Sequence, residues 1–198
     1  MKKYTDPLQP DTYYHVYNRG NNGDDIYFED RNYAYFLQQY RKYVAPVVDT
    51  YAYCQMKNHF HFLVRVKSVE VVAEAGEVPK SSVSVFDDFS KTISNQWAKL
   101  FNSYTQGMNK VYGRTGSLLE TPFRRKEVKS EAYFSRLIHY IHFNPQHHGV
   151  VKDFRDYPYS SYGSHLSMKP TLLKRDEVIR WFEGEEAYRA FHRNNPDQ

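Results

Sequence analysis

Residues 47–67 read VVDTYAYCQMKNHFHFLVRVK. Two runs rich in β-branched and aromatic residues, Val47–Gln55 and His59–Lys67, flank the short connection Met56-Lys57-Asn58. So short a link predicts two antiparallel neighbouring strands. In the second run the residue types alternate. His59 and His61 fall on one face, and Phe60 and Phe62 on the other. The phenylalanines thereby mark the face turned to a helix layer, and the imidazoles the face left for chemistry.

Working outward, Thr12–Arg19 (TYYHVYNR) reads as a first strand ending in the turn cluster Gly20-Asn21-Asn22-Gly23. Asp30 can cap a helix that carries Tyr33, Phe36, Leu37 and Tyr40 at helical spacing and ends before Pro46. Downstream, residues 68–84 turn small, acidic and serine-rich, and read as a flexible insertion. Phe86–Met108 repeats Phe86, Phe89, Ile93, Trp97, Leu100, Phe101 and Tyr104, an amphipathic helix. A turn at Gly113–Gly116 leads to an extended stretch, Ser117–Val128, interrupted by Pro122. Glu131–Phe143 reads as a helix stopped by Asn144-Pro145, and a short helix is expected around Asp176–Trp181. The order βαββαβ plus a helix predicts an α+β, ferredoxin-like antiparallel sheet with helices on one face, followed by a C-terminal helix and a tail. We divide the chain into residues 1–165 and a helical tail, 166–198.

The chain has 198 residues, a net charge of +4, one cysteine (Cys54), 19 Tyr and 13 Phe. One cysteine excludes an internal disulfide and makes a thiolate zinc site a poor expectation. No apolar run follows the two N-terminal lysines, and no window approaches a membrane span, so a cytoplasmic protein is expected. The mild basic bias suits a polyanionic partner without proving one. Most tyrosines must pack in the sheet. Tyr13, Tyr14 and Tyr17 could stack on unpaired bases, although strand packing is the better reading.

His59 and His61 could chelate a divalent cation. On spacing alone, two surface histidines is the favoured reading. Tyr140 and Asn144, one helical turn apart, could supply a phenol nucleophile and a third, amide ligand. Residue type alone favours packing for the tyrosine and helix termination for Asn144-Pro145. His139 and His142, three apart on the same helix, form a rival metal pair without a recognised zinc pattern. Arg124, Arg125, Lys126 and Lys129, with Arg114 before them and Arg19 at the end of the first strand, would make a phosphate track if DNA were the partner.

HVYNRGN (15–21), MKNHFHFLV (56–64), YIHFNPQHHG (140–149) and YPYSSY (157–162) together resemble the REP-associated tyrosine transposases, within the single-tyrosine HUH (IS200-like) superfamily. The likeness spans roughly residues 12–165, in order and spacing. It implies that His59 and His61 are the paired metal-binding histidines, Tyr140 the nucleophile and Asn144 the third ligand. It also implies Mg²⁺ or Mn²⁺, and cleavage of single-stranded DNA beside a hairpin through a 5′-phosphotyrosine that can be reversed to rejoin strands. Lys57 stands where proline is usual, and Gln146 where valine is usual. Neither change removes a catalytic atom. His142 and His148 are then expected to contact DNA or cap the helix end. REP-associated members imply a monomer, while others with this fold form dimers that exchange the tyrosine helix. The competing expectations are a non-catalytic hairpin-binding regulator, a metal nuclease that activates water, and a structural protein with incidental histidines.

Overall fold

The computed structural model describes residues 5–76 and 86–194. Four antiparallel strands, β1 (Tyr13–Arg19), β2 (Val48–Met56), β3 (His59–Val66) and β4 (Arg124–Glu127), form one sheet in the order β2-β3-β1-β4. Helices α1 (Asp30–Tyr43) and α3 (Phe86–Tyr112) connect β1 to β2 and β3 to β4. This is the expected ferredoxin-like arrangement. The insertion begins as helix α2 (Val69–Glu74), and residues 77–85 lie outside the described residues. Of the expected extended stretch Ser117–Val128, only Arg124–Glu127 forms regular strand, as β4.

The alternation in HFHF fixes the register. Phe60 and Phe62, both fully buried, join Tyr14, Val16, Val64 and Val66 against Phe36 and Tyr40 of α1 and Ile93, Trp97 and Leu100 of α3. Each buried phenylalanine stabilises by about 1.5–3 kcal/mol. A one-residue slip would forfeit both and drive two imidazoles into the core. Tyr17 lies opposite His61 and Arg19 opposite His59, which puts all four side chains on the other face.

The β2–β3 turn is tied down by its surroundings. The Lys57 carbonyl accepts the backbone N–H groups of Ile26 and Tyr27, and the Asn58 carbonyl accepts that of Gly20. Gly20 is needed for close approach, since a Cβ there would sit 2.0 Å from the Asp24 carbonyl oxygen.

The second face carries a second core. Helix α4 (Glu131–His147), capped by Ser130, packs Phe134, Leu137, Ile138 and Ile141 on Tyr51, Ala52, Cys54, Met56 and Leu63. It does not stop at Asn144-Pro145 but continues to His147. Proline in a last turn forfeits a single helical hydrogen bond, and the burial of Ile141, Asn144 and Pro145 outweighs that loss. The chain then returns through α5 (Tyr162–His165), α6 (Arg175–Trp181) and α7 (Glu185–Asn194), of which only α6 was expected. Val178, Phe182 and Tyr188 join the same core. Gln55 N donates to the Tyr159 carbonyl and Ser161 N to that of Tyr53, so the YPYSSY block lines the β2 edge. At the opposite edge Glu127 N donates to the Asp6 carboxylate. Both sheet edges are thereby protected.

Candidate active site

Helix α4 covers only the β2–β3 half of its face. Beside it a cleft of about 630 Å³ is lined by His15, Tyr17 and His61 from the sheet, Lys126 from β4, and Tyr133, Arg136, Leu137 and Tyr140 from α4. On a helix whose neighbouring positions are buried, Tyr140 is 36% exposed. Its ring centre lies 5.5 Å from that of His61 and 6.1 Å from that of His15, both edge-on.

One turn on, Asn144 is fully buried, and its Oδ1 is 3.0 Å from His59 Nε2. The His59 and His61 rings lie 5.2 Å apart, and the exposed His148 ring lies 5.3 Å from His59. Thus the structure brings Tyr140, His59, His61 and Asn144 together. Among the described residues, no three His, Cys, Asp or Glu side chains are arranged to hold a metal, so a third protein ligand beside the two histidines would have to be the Asn144 amide.

The proton count around His59 tests whether a cation fits. Asn58 Nδ2 donates to the Gly23 carbonyl, which orients Asn58 Oδ1 towards His59 Nδ1 at 2.7 Å. A neutral imidazole has one N–H, and Asn58 takes it. Burial holds His59 below the usual histidine range, so a second proton is disfavoured. His59 Nε2 therefore presents a lone pair to Asn144 Oδ1, another acceptor, while Asn144 Nδ2 is buried with no partner. Turning the amide round would give Nε2 a donor and leave the carbonyl oxygen to the Tyr140 phenol, which the amide also contacts. A cation between Nε2 and Oδ1 satisfies both lone pairs, so the donor set fits a divalent ion.

Burial also holds His61 well below the usual range, with His15 adding to the effect, so both imidazoles stay neutral at pH 7. His15 is pushed down to about 3 by burial, with a further contribution from Lys126. The Tyr140 phenol is raised by burial, and its contact with the Asn144 amide works in the opposite direction. It is protonated at neutral pH and needs help to ionise.

The basic residues divide. Arg19 and Arg124 both pair with Glu120 and, with Tyr17, His59 and His61, line a smaller cavity of about 100 Å³. Exposed ion pairs are worth at most about 1 kcal/mol, so a phosphate could displace Glu120 cheaply. Lys126 sits 4.7 Å over the Tyr133 ring at the main cleft. Arg125 does not belong with them. Strand alternation turns it to the helix-layer face, where it donates to the Asp6 carbonyl and lies over Phe123. Arg114, bonded to Asn109 and over Phe28, and Lys129, beside Glu127, line neither cavity.

His142 is likewise corrected. It is fully buried, bonded to His192 and Ser161, and fastens α4 to the tail instead of meeting DNA. His15 and Arg136 were not expected. Strand alternation from Tyr17 and Arg19 places His15 on the histidine face, and Arg136 lies four residues before Tyr140 on one helix face. Those spacings were the available signals.

By sequence, the chain matches no protein-family model and no curated protein. By structure, it is similar to a REP-associated tyrosine transposase bound to a REP hairpin, with a TM-score of 0.60 and 16% identity over 86% of this chain and 89% of that one. Two structures of a bacterial tRNA(His) guanylyltransferase-like protein, with GTP and with ATP, align at TM-scores of 0.41 with 14% and 12% identity. They cover 78% and 92% of this chain and 74% and 75% of their own. The chain has, over most of both lengths, the fold of a REP-associated tyrosine transposase.

Proposed function

We propose that the protein is a metal-dependent endonuclease and strand transferase for single-stranded DNA beside hairpins, with Tyr140 as nucleophile. One observation carries this reading. Tyr140, the most exposed aromatic of α4 at the cleft, stands over His61 with Asn144 and His59 one turn away. The shared fold with a hairpin-bound transposase supports the substrate class.

In the reaction Tyr140 Oη bonds to phosphorus, and the bond from phosphorus to the 3′ oxygen breaks. The phenol proton is lost, the departing 3′ oxygen takes one up, and the 5′ phosphate stays on the tyrosine. Attack by a 3′ hydroxyl reverses the step, so no nucleotide cofactor is required. His59, His61 and Asn144 would hold Mg²⁺ or Mn²⁺, which supplies charge neutralisation for the scissile phosphate. Lys126 and Arg136 on one side, and Arg19 and Arg124 on the other, bracket the path of the strand. Tyr17 and Tyr133 offer faces on which bases can stack. The site is complete within one chain, which favours a monomer. Among the described residues no helix is long and apolar enough to cross a membrane.

The test is a denaturing gel with labelled single-stranded hairpin oligonucleotides and Mn²⁺. We expect a covalent adduct that is absent with EDTA and in Tyr140→Phe. Cleavage that survives the substitution without an adduct would establish water activation instead. Binding without cleavage would make the protein a hairpin-binding regulator.

A further inference from the structure

We propose that His15 is a positioning residue that sets the tautomer of His61, accepting its Nδ1 proton so that Nε2 keeps a lone pair for the cation. The inference rests on the reading of His59 and His61 as ligands.

His15 Nε2 lies 2.9 Å from His61 Nδ1, within hydrogen-bonding distance and buried from water. Two proton placements suit that distance. If His15 donated, His61 would carry its proton on Nε2, and its one remaining ligating atom would be blocked. If His61 donates, Nε2 is left bare. Only the second placement matches the other histidine, where Asn58 Oδ1 holds the His59 proton on Nδ1. Asn58 and His15 thus play equivalent parts, one an amide from the turn and the other an imidazole from β1. Each engages Nδ1 and frees Nε2.

The geometry of the sheet makes His15 suited to this. In the register His15 pairs with Leu63 and Tyr17 with His61, so His15 reaches His61 diagonally across two strands. Its ring rests at 4.7 Å from that of Tyr17, which limits its rotation. Groups that orient a ligating histidine through its second nitrogen typically change metal affinity 10- to 100-fold when removed.

Long-range ¹⁵N NMR of the metal-free, full-length protein at pH 7.5 tests the tautomer directly. We expect His61 protonated at Nδ1 and bare at Nε2, and His15 bare at Nε2. Mn²⁺ titration then tests the consequence. His15→Phe should weaken binding about 10- to 100-fold. His15→Gln, whose amide oxygen can still accept the proton, should recover most of the loss. A His61 protonated at Nε2, or unchanged Mn²⁺ affinity in a folded His15→Phe, would overturn the proposal while leaving the catalytic reading intact. Failure of the unsubstituted protein to bind Mn²⁺ would overturn the metal-site reading and this proposal with it.

Discussion

The two halves of the sheet face under α4 are built from the same residue types and end in opposite states. On the β1–β4 side His15, His61, Tyr17 and Tyr140 border an open cleft. On the β2 side His139, His142, His165 and His192 are sealed among Tyr162, Tyr188 and Phe154 by the tail. In the sealed half both nitrogens of His165 and Nε2 of His139 lack hydrogen-bond partners. In the open half His59 Nε2 meets the Asn144 carbonyl oxygen, and the His61 ring stands between His59 and a reachable phenol. Residue identity therefore does not mark function here. Accessibility and convergence do. Substitutions in the open half should change chemistry with little effect on stability, and those in the sealed half the reverse.

The largest contrast is expected from nucleophile against anchor. Tyr140→Phe should lower adduct formation by about 10⁴-fold or more in a single-turnover assay, with an unchanged melting temperature. Ser161→Ala leaves the Tyr53 N–H and a His142 nitrogen unpaired, since its Oγ serves both. It should cost about 2–3 kcal/mol in urea denaturation and leave the chemistry intact wherever the protein stays folded. Loss of the adduct in a fully folded Ser161→Ala would break the comparison.

Ligand substitutions come next. His59→Ala and His61→Ala should each reduce Mn²⁺ affinity by at least about 100-fold in isothermal titration, whereas His139→Ala should leave it unchanged. That pair of results separates the proposed centre from the buried histidines five and two residues before Asn144.

Acid sharpens the comparison differently. Burial pushes His192 down to about 3 and His165 to about 4, from an ordinary 6.5 to which unfolding returns them. Above pH 6.5 neither state is protonated, and these groups leave stability unchanged. Below it the unfolded chain takes up protons that the native one refuses. Stability then falls by about 1.4 kcal/mol per pH unit for each histidine, until the pH nears the folded values. The melting temperature should be flat from pH 8 to 7 and fall steeply from 6.5 to 4.5. His192→Phe should have the shallower slope.

The smallest effects belong to the strand's phosphate contacts. Lys126→Ala and Arg136→Ala should each weaken single-stranded DNA binding a few-fold and reduce the salt slope by about one. Arg125→Ala, on the opposite face, should leave the slope alone.

Much of this was legible in the sequence because it follows from short-range periodicity. HFHF declares two faces, and the phenylalanines decide which one is buried. The same rule, applied to Arg124-Arg125-Lys126, sends Arg125 to the face opposite Arg124 and Lys126. Applied to TYYHVYNR it puts His15 on one face with Tyr17 and Arg19, while its place beside His61 comes from the strand register. What periodicity could not show was the path of the tail. Helix α7 reads EEAYRAFHRN, with little apolar content, and only its packing reveals that Tyr188 and His192 are inside. His142 looked like a DNA contact because nothing local said that His192, fifty residues on, would cover it. The end of α4 is hidden from local sequence in the same way, since the burial that carries the helix past Pro145 is tertiary.

The central claim is that one particular phenol of this tyrosine-rich chain takes the phosphate. The most direct measurement is peptide mapping by mass spectrometry of protein trapped on a hairpin oligonucleotide nicked so that rejoining cannot occur. The account predicts a nucleotide adduct on the peptide containing Tyr140 and none elsewhere. An adduct on Tyr17, which shares the cleft, or no adduct despite complete cleavage, would contradict it.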